Sequence, residues 1–147
     1  MGSPSFLLKN GSLTLLDKDP QGWTPNGIAL SPDERYLYVN GGGFITRYEV
    51  QPGDSIKNGI VFAELRGEGA GVTDGMKVDS KGNVFCTGPG GVWILSPVGK
   101  HIGTIRLPEP ATNLAFGDAD GKSLYITNRR GLLRVRLNTI GIIPGPN

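Results

Sequence analysis

PNGIALSPDERYLYVN, residues 25–40, decides the fold. It opens on a small polar pair, Asn26-Gly27, and runs through a short apolar strand. It turns at Ser31-Pro32-Asp33-Glu34 and returns as a second apolar strand. The same order recurs in TDGMKVDSKGNVFCTG, residues 73–88, and again in ATNLAFGDADGKSLYIT, residues 111–127. Asn26 and Asp74 are 48 residues apart, and Asp74 and Thr112 are 38 apart. Self-similarity at roughly 40–50 residues signals a stacked or radial array. A unit of that length built of short strands suits a four-stranded propeller blade.

Working outward, Phe6–Lys9 and Leu13–Leu16 flank Asn10-Gly11, the strongest short hairpin signal. The first unit predicts strands at Gly27–Leu30, Tyr36–Val39, Phe44–Val50 and Ile60–Leu65, with a loop at QPGDSIKNG. The second predicts Gly75–Val78, Asn83–Thr87, Gly91–Leu95 and Ile102–Leu107. The third predicts Leu114–Gly117, Ser123–Thr127 and Gly131–Leu137, and IGIIPGPN offers no clear fourth strand. No window repeats apolar residues at i, i+3, i+4 and i+7, so the expectation is an all-β chain. The 24 glycines and 11 prolines fit many tight turns.

The expected organisation is a single domain, 1–147, forming three blades, half of a six-bladed β-propeller. Residues 12–16 are read as the outer strand of a shared blade, 26–66 and 74–107 as full blades, and 112–137 as a blade completed by an N-terminal strand. Three blades are too few to close a ring. A head-to-tail homodimer, each copy donating its N-terminal strand to the other's third blade, is therefore expected to complete it. The opening MGSPSFLLKNG drops straight into strand–turn–strand and reads as the middle of a larger fold.

A formal net charge of +2 gives no whole-chain argument for nucleic acid or a membrane surface as partner. Arg134 and Arg136 alternate with Leu133, Val135 and Leu137, the pattern of a solvated strand face. The single cysteine, Cys86, excludes an internal disulfide and reads as a small buried hydrophobe. There is no apolar run near 18 residues and no basic-then-apolar leader, so a cytoplasmic location is the expectation. His101, the only histidine, reads as a surface turn residue without partners for a Ser-His-Asp device. Gly67, Gly69 and Gly71 resemble a nucleotide loop only superficially, because no helix pattern follows.

In a propeller, the first strand of each blade lines the central channel. Its mouth positions here are Asn26, Asp74 and Thr112, with Asn113 next. Oxygen-bearing side chains converging from adjacent blades suit a hard divalent cation. The competing reading takes Asn26-Gly27 and Asp74-Gly75 as ordinary turn dipeptides. Glu68, in the loop before Asp74, is a candidate extra carboxylate. Trp93, mid-strand in GVWIL, reads as core.

The PNG…SPD element and the DGM-x-VD-x-x-GN element, together with TGPGGVWILSPVGKHIGTIRLPEPATNLAFG, resemble the gluconolactonase family, which includes regucalcin (senescence marker protein). The likeness runs from about Leu13 to Leu137. It implies a six-bladed propeller that hydrolyses sugar lactones with a divalent cation in its channel, calcium first, with magnesium, manganese or zinc as alternatives. It implies that Asn26 is a metal ligand, and that Asp74 is both a metal ligand and the general base. Trp23, Glu68 and Asn113 are then candidate contacts to the sugar lactone. The family's third protein ligand, a Glu in an E-G-P motif, has no counterpart here, nor do its substrate-binding Asn and Arg. A non-catalytic half-propeller that serves binding or assembly is the alternative reading, and a fragment without independent role is a third.

Overall fold

The computed structural model describes residues 4–18, 24–53 and 55–143. Thirteen strands and no helix occur among them. The hairpin β1 (Pro4–Lys9) and β2 (Ser12–Lys18) forms its own two-stranded sheet. Its turn has φ of 50° at Asn10 and 77° at Gly11, the left-handed pair that a two-residue hairpin loop requires.

The first blade is β3 (Ile28–Leu30), β4 (Tyr36–Gly41), β5 (Phe44–Gln51) and β6 (Ser55–Glu64), hydrogen-bonded in that order. The second is β7 (Met76–Val78), β8 (Val84–Gly88), β9 (Gly91–Leu95) and β10 (His101–Arg106). The third has three strands, β11 (Ala111–Gly117), β12 (Ser123–Asn128) and β13 (Gly131–Arg136). Every pairing is antiparallel. The first strands β3, β7 and β11 adjoin one another in turn, so the sheets fan out from one line, as in a partial β-propeller.

Two strands start three or more residues ahead of their sequence-based limits. β6 starts at Ser55, not Ile60, because the chain turns within Gln51–Gly53 and pairs at once with β5. Its polar stretch is carried by a bulge: Asn58 has φ of 55° and donates its amide to Glu49 Oε2 at 3.0 Å. β11 starts at Ala111 because a register shift lets Ala111 pair with Asn128 ahead of Asn113 with Thr127.

The core is two interblade layers. Tyr38 and Ile45 of the first blade pack against Met76, Val84, Trp93 and Leu95 of the second. Phe85 and Val92 then pack against Leu114, Phe116, Leu124 and Ile126 of the third. Alternation along each strand therefore serves two layers, one per face. After β13 the chain runs back beneath the second and third blades. Ser80 N–H donates to Ile140 O at 2.8 Å, Gly141 N–H to Gly121 O at 2.9 Å, and Ile142 N–H to Val78 O at 3.2 Å. Gly141 lies on the Phe116 ring, where a Cβ would fall 1.7 Å from Cγ. The tail thus forms no fourth strand among the described residues, but it staples two blades at their lower turns.

The arginine face of β13 is exposed and also neutralised. Asp118 accepts from Ser123, from Tyr125 OH at 2.7 Å, and from Arg134 and Arg136. The hydroxyl bonds from Ser123 and Tyr125, then Arg134, hold its carboxyl down to about 2. No helix among the described residues is long and apolar enough to cross a membrane.

Two outcomes are expected. Because the folded pKa of Asp118 lies below the ordinary 3.8, its contribution is complete above that value and is lost as pH falls toward about 2. Thermal melts from pH 5 to pH 2 should show a steeper fall for wild type than for Asp118→Asn. Gly27→Ala places a Cβ 2.1 Å from Asp74 O and 2.6 Å from Asn40 Nδ2. It should cost about 1–3 kcal/mol in denaturant unfolding. Gly131→Ala, where a Cβ meets nothing within 4 Å, should fall within about 0.5 kcal/mol of wild type.

Candidate active site

Asn26 and Asp74 each immediately precede a glycine at the mouth of an inner strand. Neither dipeptide is a turn. Gly27 and Gly75 lack the left-handed φ of the turn glycines and pair instead with the neighbouring strand of their own blade. Asn40 N–H donates to Gly27 O at 2.9 Å, and Thr87 N–H to Gly75 O at 3.0 Å. Glycine is needed for a different reason: the next blade lies where a side chain would be. A Cβ on Gly75 would sit 2.5 Å from both Cα and Oδ1 of Asn113. The spacing that reads as turn punctuation is in fact the point of closest approach between blades.

These approaches are hydrogen-bonded as well as tight. Asn40 Nδ2 donates to Asp74 O at 2.8 Å, joining the first blade to the second. Gly43 N–H donates to Thr73 Oγ1 at 3.2 Å across the same seam. Gly75 N–H donates to Thr112 O at 3.0 Å, joining the second blade to the third. Within the second blade Asp74 N–H donates to Thr87 Oγ1 at 2.9 Å, and that hydroxyl donates to Val72 O at 3.1 Å. Asp74 is thus held by its backbone N–H and C=O. Among the described residues no hydrogen bond or ion pair engages its half-buried carboxylate. The exposed Asn26 amide is likewise uncommitted, while its N–H donates to Asn40 O at 2.8 Å.

Beside Asn26 lies a cavity of about 410 Å³, lined by Thr24, Gly41–Gly43, Leu65, Gly71, Val72, Thr73 and Pro89. Its floor is mostly backbone and small side chains, so N–H and C=O groups can approach a bound molecule closely. Cys86 lies beneath Asp74 and is fully buried. Burial pushes its thiol up to about 12, against the opposing bond from Asn40. It is therefore a neutral packing group and not a nucleophile.

The structure groups Asn26, Asp74 and Asn113 at successive inner-strand mouths. Thr112 holds the register of Asn26 and Asp74, but its hydroxyl is taken by Thr127 Oγ1 at 2.9 Å. Asn113 stands where the other blades have glycine; it is exposed, and its Oδ1 accepts from Leu114 N–H at 2.8 Å. Glu68 lines a separate recess of about 250 Å³ with Trp93, His101, Thr104 and Arg106, on the other side of Pro89. Trp23 lies outside the described residues. His101 begins β10 instead of occupying a turn, and its ring stacks on Trp93 with centroids 4.2 Å apart.

Asn40 was not singled out by sequence reasoning. Its signal is positional: VNG at 39–41, CTG at 86–88 and ITN at 126–128 each place a hydrogen-bonding side chain after an apolar residue at the end of the second strand. Each of these three residues faces the mouth of its own inner strand.

Residues 7–130 match the family described as SMP-30/Gluconolactonase/LRE-like region. The chain is 35% identical over 128 residues to a gluconolactonase of Zymomonas mobilis subsp. mobilis, covering 80% of this chain and 36% of that protein. It superposes on the structure of a gluconolactonase from Xanthomonas campestris with a TM-score of 0.75 at 30% identity, covering 87% of this chain and 42% of that one. It superposes on the calcium-binding protein regucalcin from Agrobacterium tumefaciens with a TM-score of 0.78, covering 94% and 53%; at 21% identity this likeness concerns the fold. The chain spans between about a third and a half of the length of these relatives. Family match, sequence identity and fold agree: the chain belongs to the SMP-30/gluconolactonase/LRE-like family and forms part of a β-propeller.

Proposed function

We propose that this chain carries the Asn26/Asp74 part of a cation-assisted sugar-lactone hydrolase. The carrying observation is that the Asp74 carboxylate has no hydrogen-bond or ion-pair partner among the described residues, at the seam where Gly27, the neighbour of Asn26, meets Asp74 O, while backbone bonds hold Asp74 in place. The donor chemistry suits a hard cation. An amide oxygen and a carboxylate favour calcium, magnesium or manganese over thiolate-seeking metals. Asn26 and Asp74 would hold the ion, with water filling the remaining positions. Held by Asn26 and Asp74, such an ion would supply Lewis acidity to the lactone carbonyl and to a bound water. Asp74 then accepts the proton of the attacking water. The water oxygen bonds to the carbonyl carbon, the ring C–O bond breaks, the proton held by Asp74 passes to the departing ring oxygen, and a hydroxy acid leaves. The cavity that Asn26 lines has a wall of Gly41, Gly42, Gly43 and Gly71, which would give a polyhydroxylated ring close backbone contact; Thr73 lines it but Asp74 does not. The name of the Zymomonas relative supports this substrate class.

A second copy of this chain is the partner we infer. Ile28 is 61% exposed and Leu30 41% on the outward face of the first blade. The outer edge of β13 pairs with no strand among the described residues. Two copies of a chain that spans about half of its solved relatives supply one ring's worth of sheets. Donation of the N-terminal strand of one copy to the third blade of the other would cover that edge.

The second reading is a non-catalytic binding or assembly module. It is favoured by one observation: among the described residues no group of three His, Cys, Asp or Glu side chains is placed to hold a metal ion. Turnover separates the two readings.

Asp74→Asn keeps the backbone bonds to Thr87 and Asn40 and removes only the charge. Its melting temperature should stay within about 2 °C of wild type, while hydrolysis of gluconolactone drops by about 10²–10⁴-fold. A chelator should abolish wild-type turnover, and calcium should restore it. Full activity in Asp74→Asn refutes the assignment; calcium binding by wild type without turnover favours the module. Light scattering at micromolar concentration should give twice the 15.6 kDa chain mass; a monomer refutes the homodimer.

A further inference from the structure

We propose that Asn40 is the positioning residue of this site: its side-chain amide locks the mouth of one inner strand to the mouth of the next and so fixes where Asn26 and Asp74 stand relative to each other. The inference rests on the cation-site reading of those two residues.

Asn40 is 1% exposed, and all its polar groups are used. Its backbone O accepts from Asn26 N–H, and its N–H donates to Gly27 O. Its Oδ1 accepts from Gly27 N–H at 2.9 Å. Its Nδ2 donates both to Asp74 O at 2.8 Å and to Cys86 Sγ at 3.2 Å. One buried side chain thus grips Gly27, next to one donor residue, and the carbonyl of the other donor residue itself. A buried amide with every partner satisfied has one orientation, because any rotation leaves a donor or an acceptor unpaired.

Comparison within the chain shows what the amide adds. The equivalent residues of the other blades are Thr87 and Thr127. Thr87 Oγ1 accepts from Asp74 N–H and donates to Val72 O. Thr127 Oγ1 meets Thr112 Oγ1 and Asn113 O. Thr127 binds only within its own blade, and Thr87 binds only the segment leading into its own inner strand. Asn40 makes that local bond and also reaches across the seam, at the seam between the blades that carry Asn26 and Asp74. Gly27 lets it do so, because a Cβ there would lie 2.6 Å from Asn40 Nδ2.

The chain thereby supplies its own test, Asn40→Thr, which can keep the local cap and removes the bridging donor. Three measurements on the full chain decide the matter. Calorimetric titration with calcium alone should show affinity weakened by about 10-fold or more, as when a residue that orients a metal ligand is removed. Labelling of Cys86 by an aromatic disulfide under native conditions should accelerate beyond that of Ile126→Val, which loosens the other interblade layer without touching Asn40. In wild type, the Gly27 amide hydrogen should exchange as slowly as that of Asn40. An Asn40→Thr chain that labels no faster than Ile126→Val, or that binds calcium like wild type, overturns the proposal. If Asn40→Thr does not fold, fast exchange at Gly27 in wild type overturns it alone. Wild type that binds no calcium defeats the cation-site reading instead, while labelling and exchange still decide whether Asn40 is the interblade lock.

Discussion

Sheets that fan from a common line must converge at their inner strands, and at the point of closest approach there is no room for a Cβ. In this chain that point is Gly27 against Asp74 O and Gly75 against Asn113 Cα. Everything at the upper rim follows from it. The glycines let the backbones meet, and the meeting brings carbonyls and N–H groups of neighbouring blades within bonding range. Asp74 itself meets Gly27 there, and Asn26 stands one residue before that contact.

The polar contacts at the rim and the apolar layers below divide the work. Met76, Val84 and Leu95, and likewise Leu114, Leu124 and Ile126, supply non-directional attraction between blades. Such layers hold sheets together but tolerate sliding, because dispersion has little angular preference. The rim bonds remove that freedom. They are few and mostly half-buried, and at the buried Asn40 every polar group is paired, which is the condition under which buried polar groups specify one arrangement at acceptable cost. At the other end of the same strands, Asp79 does comparable work. It is fully buried, accepts from Lys81 and Asn83 N–H and from Asn83 Nδ2, and also takes Thr139 Oγ1 from the returning tail at 2.8 Å.

Most of the architecture was legible because strands of this kind announce themselves by alternation and by their turns. Asn10-Gly11 foretold the hairpin, and the three similar stretches foretold three sheets in their order. What escaped is instructive. The β6 start was missed because SIKNG is polar and a bulge, not apolar periodicity, carries it. Gly27 and Gly75 were visible, yet their reason was not: a glycine that permits a turn and one that permits contact look identical in sequence. Asn40 was passed over because it sits at the end of an apolar strand, and only tertiary contact reveals that its amide reaches Asp74 O. The Glu68 recess was equally hidden, since nearness in sequence to Asp74 says nothing about which side of Pro89 a loop residue takes.

The division between backbone and side chain at Asp74 gives the site its character. A carboxylate that also held the fold would be bound by N–H donors, as Asp79 is, and its oxygens would already be committed. At Asp74 the fold is held by N–H and C=O instead, through Thr87 and Asn40. The carboxylate is therefore fixed in place while staying chemically available. Two aspartates five positions from each other in the repeating stretch, Asp74 and Asp79 within one inner strand and its turn, show the two uses of the same side chain: one spent on structure, one left over for chemistry.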